Sequence, residues 1–254
     1  MILFLLVVLL LVSYIYLQQR VEGFEMRNQT YYNEAVFDPF YAYHYDEILN
    51  MIPIYEEMIL KVLPLLTQGS SMLWIGSRNG HGVQLLNDLG KPTGMDGSTA
   101  MVTMSRYKYP STQFLKGTYA QNSLFAPRHF TAVFCPFLEL HRVADLDVLM
   151  RNVSDWLVPY GYMVVSRMDL SKEAFPKGLL TETPSTYRYT SELKGNEWIE
   201  TFTDATSNVR TNKQTLYPYT LEEMTKIAKR YDLKQVNHYA GSIVPLEVVV
   251  FQKK

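Results

Sequence analysis

The side chains able to do chemistry in this chain are few, and they stand at the ends of short apolar runs. Ser71-Met72-Leu73-Trp74-Ile75 runs into Gly76, and twenty residues after that glycine Asp96 closes the next short run, Pro92 to Met95. A carboxylate at such a place accepts both hydroxyls of a ribose; the competing reading is a cap for the helix that follows. His81 stands at a helix start, where it either touches a ligand carboxylate or is simply an exposed first-turn histidine. Glu139 and His141 follow the apolar run Thr131 to Cys135, at the edge of a sheet where an acid or base is useful, and their plainer reading is surface polarity. Cys135 reads as a buried strand residue, because nothing basic adjoins it to lower its pKa. One cysteine excludes an intramolecular disulfide, and the five histidines form no His-x-x-x-His pair, so no metal site is expected.

The elements that must position these groups alternate. From about Tyr41 onward, strands at 71–75, 92–95, 113–116, 131–135 and 162–166 are separated by helices at 81–89, 99–107 and 145–157. Pro53 and Pro64 break or kink the helical stretch 46–66. Trp198 to Thr203 and Val209 to Tyr217 flank the turn-like Asp204-Ala205-Thr206-Ser207-Asn208, which predicts a β-hairpin inserted at about residues 196–217. A final helix (220–231) and two strands (233–239, 247–251) close the chain. The expected fold class is α/β, a doubly wound, mostly parallel, seven-stranded sheet with that hairpin inserted.

Residues Met1 to Leu17 carry no charge, and at about 1.5 Å per residue they span roughly 25 Å, enough for a thin bilayer. No basic stretch precedes them and no small-x-small cleavage site follows, which favours an uncleaved transmembrane helix over a signal peptide. Arg20 and Arg27 beyond it lean the body towards the cytoplasm. The expected organisation is an anchor at 1–17, a tether at 18–40 and a folded domain at 41–254. Sequons stand at Asn28 and Asn152, and they matter only if the body is luminal. With 24 basic against 25 acidic residues, the net charge of −1 indicates no nucleic-acid partner.

Over residues 41–254 the chain resembles class I S-adenosylmethionine-dependent methyltransferases. Ile75-Gly76-Ser77-Arg78-Asn79-Gly80 stands in the place of that family's glycine loop, Asp96 in that of its ribose ligand, and Gly117-Thr118-Tyr119 where residues flank the adenine. Phe130 to Cys135 is similar to the fourth strand, and Leu157-Val158-Pro159-Tyr160-Gly161 to the turn before the fifth. The resemblance implies S-adenosylmethionine as cofactor, held by Gly76, Ser77, Asn79, Gly80, Asp96, Gly97, Thr118, Tyr119 and Cys135. A narrower similarity, carried by the apolar N-terminus, Glu22-Gly23-Phe24, the tyrosine-rich Phe40 to Asp46 and Val209-Arg210-x-Asn212, is to membrane-anchored methyltransferase-like proteins of large DNA viruses. It implies an inner virion membrane, with other virion or membrane proteins as partners through the hairpin.

The departures from the family pattern bear on function. Trp74 replaces the acidic residue that helps hold the cofactor's ammonium group, and Arg78 replaces the second glycine, filling space the methionine end needs at a position that favours positive φ. Thr118, Thr131 and Tyr160 replace three further family residues. Loss of one carboxylate partner from a desolvated charge costs about 3–5 kcal/mol, or roughly two to three decades of affinity. Arg78 can offset part of this by pairing with the cofactor carboxylate. Two functions therefore stand: a non-catalytic, structural or scaffolding protein at a membrane, and an active methyltransferase acting there on an unknown acceptor.

Overall fold

The apolar runs become adjacent strands. In the computed structural model, which describes residues 29–136, 138–168, 170, 187–241 and 246–254, β2 (Ser70–Ile75), β3 (Gly90–Asp96), β4 (Gln113–Lys116), β5 (Phe130–Cys135) and β6 (Leu157–Met168) pair in parallel. β11 (Leu246–Lys253) then adds antiparallel to β6, and β10 (Leu233–Ala240) antiparallel to β11, giving the order β10-β11-β6-β5-β2-β3-β4. The sheet is mixed rather than fully parallel. Winding starts at β2, runs outward to β4 and returns to β5 on the other side of β2. The carboxyl ends of β2 and β5 therefore diverge at the switch point where doubly wound sheets form ligand crevices.

Helices cover both faces. On one lie α1 (Pro39–Ile48) and α2 (Ile52–Val62), and against the other pack α6 (Leu146–Trp156) and α7 (Leu221–Arg230). Asp145 caps α6 by accepting the Val148 N–H, and Leu146, Leu149, Met150 and Val153 form its buried stripe. Thr220 and Glu223 make a reciprocal capping box on α7. The break expected in 46–66 is present: Pro53 falls in the first turn of α2, where its missing N–H costs nothing, and Pro64 lies in the 3-10 turn Leu63–Leu65 that ends it. The helix expected at 81–89 shrinks to α3 (His81–Gln84), and turns take the chain on to Leu89.

One expectation is corrected and a second is extended. Residues 29–40, placed in the tether, are folded: β1 (Gln29–Tyr32) pairs in parallel with β9 (Val209–Thr215), a 3-10 turn covers Asn33–Val36, and Pro39 opens α1. The inserted hairpin is part of a second, four-stranded sheet, β1-β9-β8-β7, in which β7 (Arg188–Lys194) and β8 (Glu197–Thr203) run antiparallel. Alternation buries Trp198, Glu200 and Phe202 of β8 with Arg210, Asn212 and Gln214 of β9, so one face of this sheet is packed rather than free. The expected anchor at 1–17 and the tether up to residue 28 lie outside the described residues. Among the described residues no helix is long and apolar enough to cross a membrane.

Candidate functional site

The loop after β2 keeps the backbone of a glycine loop. Gly76 has φ +68°, Gly80 φ +89°, and Arg78 adopts φ +47°, a left-handed conformation that disfavours a side chain. Arg78 is held there by its contacts. Its backbone N–H donates to Asp96 Oδ2 at 2.9 Å and its Nη1 donates to the same oxygen at 3.3 Å. Nη2 donates to Glu139, and the Phe37 ring lies 3.8 Å from the guanidinium carbon. Glu139 opens α5 (Glu139–Arg142) directly after β5 and so reaches across the switch point. A Cβ built on Gly76 would lie 2.3 Å from its carboxyl carbon. Burial works against the Arg78 charge, yet Glu139 and Asp96 outweigh it and hold the pKa above the ordinary guanidinium value. Burial also raises the Glu139 pKa, with Arg78 opposing.

Asp96 is the residue this network consumes. Its side chain has no solvent exposure, Oδ2 receives both Arg78 donors, and Oδ1 receives the Ser98 N–H at 2.9 Å. The cap reading of Asp96 is not right as stated. The N-cap of α4 (Thr99–Lys108) is Ser98, whose Oγ accepts from the Met101 N–H, and Asp96 braces that cap while neutralising Arg78.

The other expected ligands scatter around this knot. Ser77 is buried and its Oγ has no hydrogen-bond partner among the described residues. Asn79 turns away, donating to the Ala42 carbonyl at 2.9 Å and to Asp46 at 3.3 Å. Gly80 caps α3 and leaves no room for a Cβ beside Phe114. Gly97 lines a groove of about 720 Å³ between α1 and α4. Thr118 is exposed, whereas Tyr119 is half-buried and lines a separate cavity of about 240 Å³. Cys135 is buried, and burial pushes its thiol pKa well up. Trp74 is a core residue, stacked on Phe134 at 5.4 Å and edge-on to Tyr55.

The candidate acid–base groups are also engaged. His81 pairs with Tyr109 at 2.5 Å through Nδ1 and with Asp46 at 3.0 Å through Nε2. His141 is buried; its Nδ1–H donates to the Tyr217 carbonyl at 2.8 Å, and Nε2 accepts from the Met168 N–H at 3.1 Å. Burial pushes its pKa down to about 4, which keeps it neutral. Of the acid–base pair, only Glu139 reaches the site, as a counter-ion. Among the described residues no group of three or more potential metal ligands occurs.

Sequence reasoning missed Phe37, which closes the site from above, and Arg142 beside it. Asp38-Pro39 was the available signal, since an aspartate before proline marks a helix start and places folded chain ahead of residue 41. Residues 33–38 are pinned by Arg210, whose Nη1 donates to Asp38 at 2.7 Å and Nη2 to the Val36 carbonyl at 2.9 Å. Its guanidinium also lies between the Tyr31 and Phe40 rings.

The comparisons define the fold. A methyltransferase domain family matches residues 73–165, from β2 to β6, and no curated protein sequence matches the chain. The structure is similar to the CcbJ methyltransferase of Streptomyces caelestis (TM-score 0.62, 17% identity, covering 80% of this chain and 96% of that one). It is similar also to an S-adenosylmethionine-dependent methyltransferase of Clostridium acetobutylicum (0.64, 13%, 84% and 97%). A third is S-adenosylmethionine-bound CalS10 of Micromonospora echinaspora, an amino pentose methyltransferase (0.56, 16%, 81% and 90%). This is a methyltransferase-fold protein. Yet the residues present do not fit S-adenosylmethionine in this structure. Asp96 already accepts three hydrogen bonds from its own chain, Glu139 lies against Gly76, and Phe37 covers the Arg78 guanidinium in the loop.

Proposed function

We propose that this methyltransferase-fold protein is a non-catalytic module whose cofactor crevice is closed by its own side chains, and that it serves as a structural or scaffolding component at a membrane. The observation that carries the reading is the Arg78 bridge between Asp96 and Glu139 beneath Phe37. Opening it for a cofactor would separate buried opposite charges, and breaking such a pair costs about 3–5 kcal/mol. The apolar segment 1–17 supplies the anchor in this proposal, with the body on the cytoplasmic side. The setting implied by the viral resemblance, an inner virion membrane, belongs to the same proposal, with neighbouring virion or membrane proteins as partners. Since one face of the hairpin is packed, those partners meet its exposed face and the β7 edge.

The second reading, an active S-adenosylmethionine-dependent methyltransferase acting at a membrane, is favoured by the fold of its neighbours, one of them with the cofactor bound. Calorimetric titration of the full chain in nonionic detergent with S-adenosylmethionine, and separately with S-adenosylhomocysteine, decides between the two. No heat at millimolar ligand is expected from protein shown to be folded by circular dichroism. Micromolar binding that Asp96→Ala abolishes would overturn the closed-crevice reading. Trp74→Asp is not a usable restoration, because it would set a carboxylate into the core against Phe134 and Tyr55.

A further inference from the structure

We infer that the cavity beside Phe37, walled by Tyr119, Tyr217 and Arg142, is a binding site for a small organic oxyanion, a carboxylate or phosphate monoester on a flat apolar body. It adjoins the closed crevice, with Phe37 as the shared wall, and does not rest on the non-catalytic reading. The argument begins with charge. Three other deeply placed arginines each meet a carboxylate: Arg78 meets Asp96 and Glu139, Arg167 meets Glu247, and Arg210 meets Asp38. Arg142 meets none within ion-pair distance among the described residues. Its Nε donates to Gln214 Oε1 at 2.7 Å, while its Nη2 is buried with no hydrogen-bond partner among the described residues. Glu139, one turn earlier on the same helix, is committed to Arg78. Gln214 in turn donates to the buried Glu200, so the amide separates that carboxylate from Arg142.

A guanidinium held without a carboxylate partner is costly unless an anion reaches the part of it that lines the cavity. Burial and the neighbouring Arg78 both lower the Arg142 pKa, a direction that an anion in the cavity would reverse. The cavity has the size and lining for that anion. It holds about 240 Å³ and is lined by Arg142, by the aromatic rings of Phe37, Tyr119 and Tyr217, and by Asn33 and Thr215. The Tyr119 hydroxyl accepts the Ala144 N–H at 3.2 Å and the Asp145 N–H at 3.4 Å, which leaves its own proton available to donate. Phe37 lies 5.1 Å from the Arg142 guanidinium, so a flat ligand has an aromatic wall beside the charge. Glu34 also lines the cavity, so an anionic head is favoured only on the Arg142 side.

The test is calorimetry on the full chain with benzoate, phenyl phosphate and the neutral isostere benzamide, in low-chloride buffer. Benzoate or phenyl phosphate is expected to bind at millimolar concentration or below, and benzamide at least about tenfold more weakly, as loss of a charge-assisted contact requires. Arg142→Gln should abolish the anion heat. Ala144→Phe, at an exposed position on the cavity lining, should block it without touching the core. Which probe binds more tightly separates a carboxylate from a phosphate ligand. Absence of anion binding to folded wild-type protein, equal binding of benzamide, or retained binding in Arg142→Gln would each overturn the proposal.

Discussion

Arg78 shows how one side chain can change what a loop is for. A glycine at its φ of +47° would cost nothing, and the arginine accepts that strain because it joins two carboxylates. Replacing it with a neutral chain of similar length leaves Asp96 and Glu139 buried without their cation. Arg78→Met is therefore expected to lose about 3–5 kcal/mol of unfolding free energy, read from urea denaturation at neutral pH. His141 makes a separate prediction. Unfolded, it binds a proton below about pH 6.5; folded, it refuses one until about pH 4, so acid favours the unfolded chain across that window. The contribution is complete above pH 6.5 and is lost as the pH falls towards 4. Wild-type stability should fall more steeply there than that of His141→Gln, by up to about 1.4 kcal/mol per pH unit. Parallel slopes would remove His141 as the cause.

At the scale of elements, the N-terminal stretch and the second sheet act as one clamp. β1 pairs with β9, the 3-10 turn sets Phe37 over Arg78, and Arg210 on β9 holds Asp38 and Val36. Ser98, the cap of α4, also donates to the Phe37 carbonyl at 2.5 Å, so the clamp touches the strand that carries Asp96. Lysine at position 210 keeps the charge and loses the planar fork and its stacking. Arg210→Lys should accelerate amide exchange over residues 29–40 while the exchange of β2 and β5 stays slow, measured by mass spectrometry. Uniform acceleration across the chain would mean that Arg210 supports global stability and not this clamp. Asp38-Pro39 carries a helix-start signal that the reading of 18–40 as a tether passed over; the pairing of β1 with a strand about 180 residues later has no local signal, because four half-polar residues carry no register of their own.

For the whole molecule, the fold decides one of the two sequons. Asn152 lies within α6, has no solvent exposure and donates to the Tyr119 carbonyl at 2.8 Å. Chain directed into the secretory pathway should therefore remain unglycosylated at Asn152 once folded, as peptide mapping after endoglycosidase treatment would show. Glycan at that site would mean that α6 is not packed as described. The same packing explains why the two sides of the sheet differ in use. α6 and α7 complete an apolar layer, while the other face carries the Arg78–Glu139 pair after β2 and β5 and the Arg210–Asp38 pair between the second sheet and the cap of α1.

Sequence alone determined the doubly wound core, since the central strands β2 and β5 are apolar runs bounded by turns and helices α6 and α7 show their own caps and stripes. It also marked Gly76, Arg78 and Asp96 as the residues on which the reading turns. Only the tertiary structure decided what they do. Arg78 and Glu139 are 61 residues apart, and Arg210 and Asp38 172 apart, so their meeting depends on strand order and on the second sheet rather than on any local pattern. Hydrophobic periodicity is written within a few residues of itself. The partner of a buried charge is chosen by whichever chain segment the fold brings to it, and here that choice closed the crevice and left Arg142 facing a cavity.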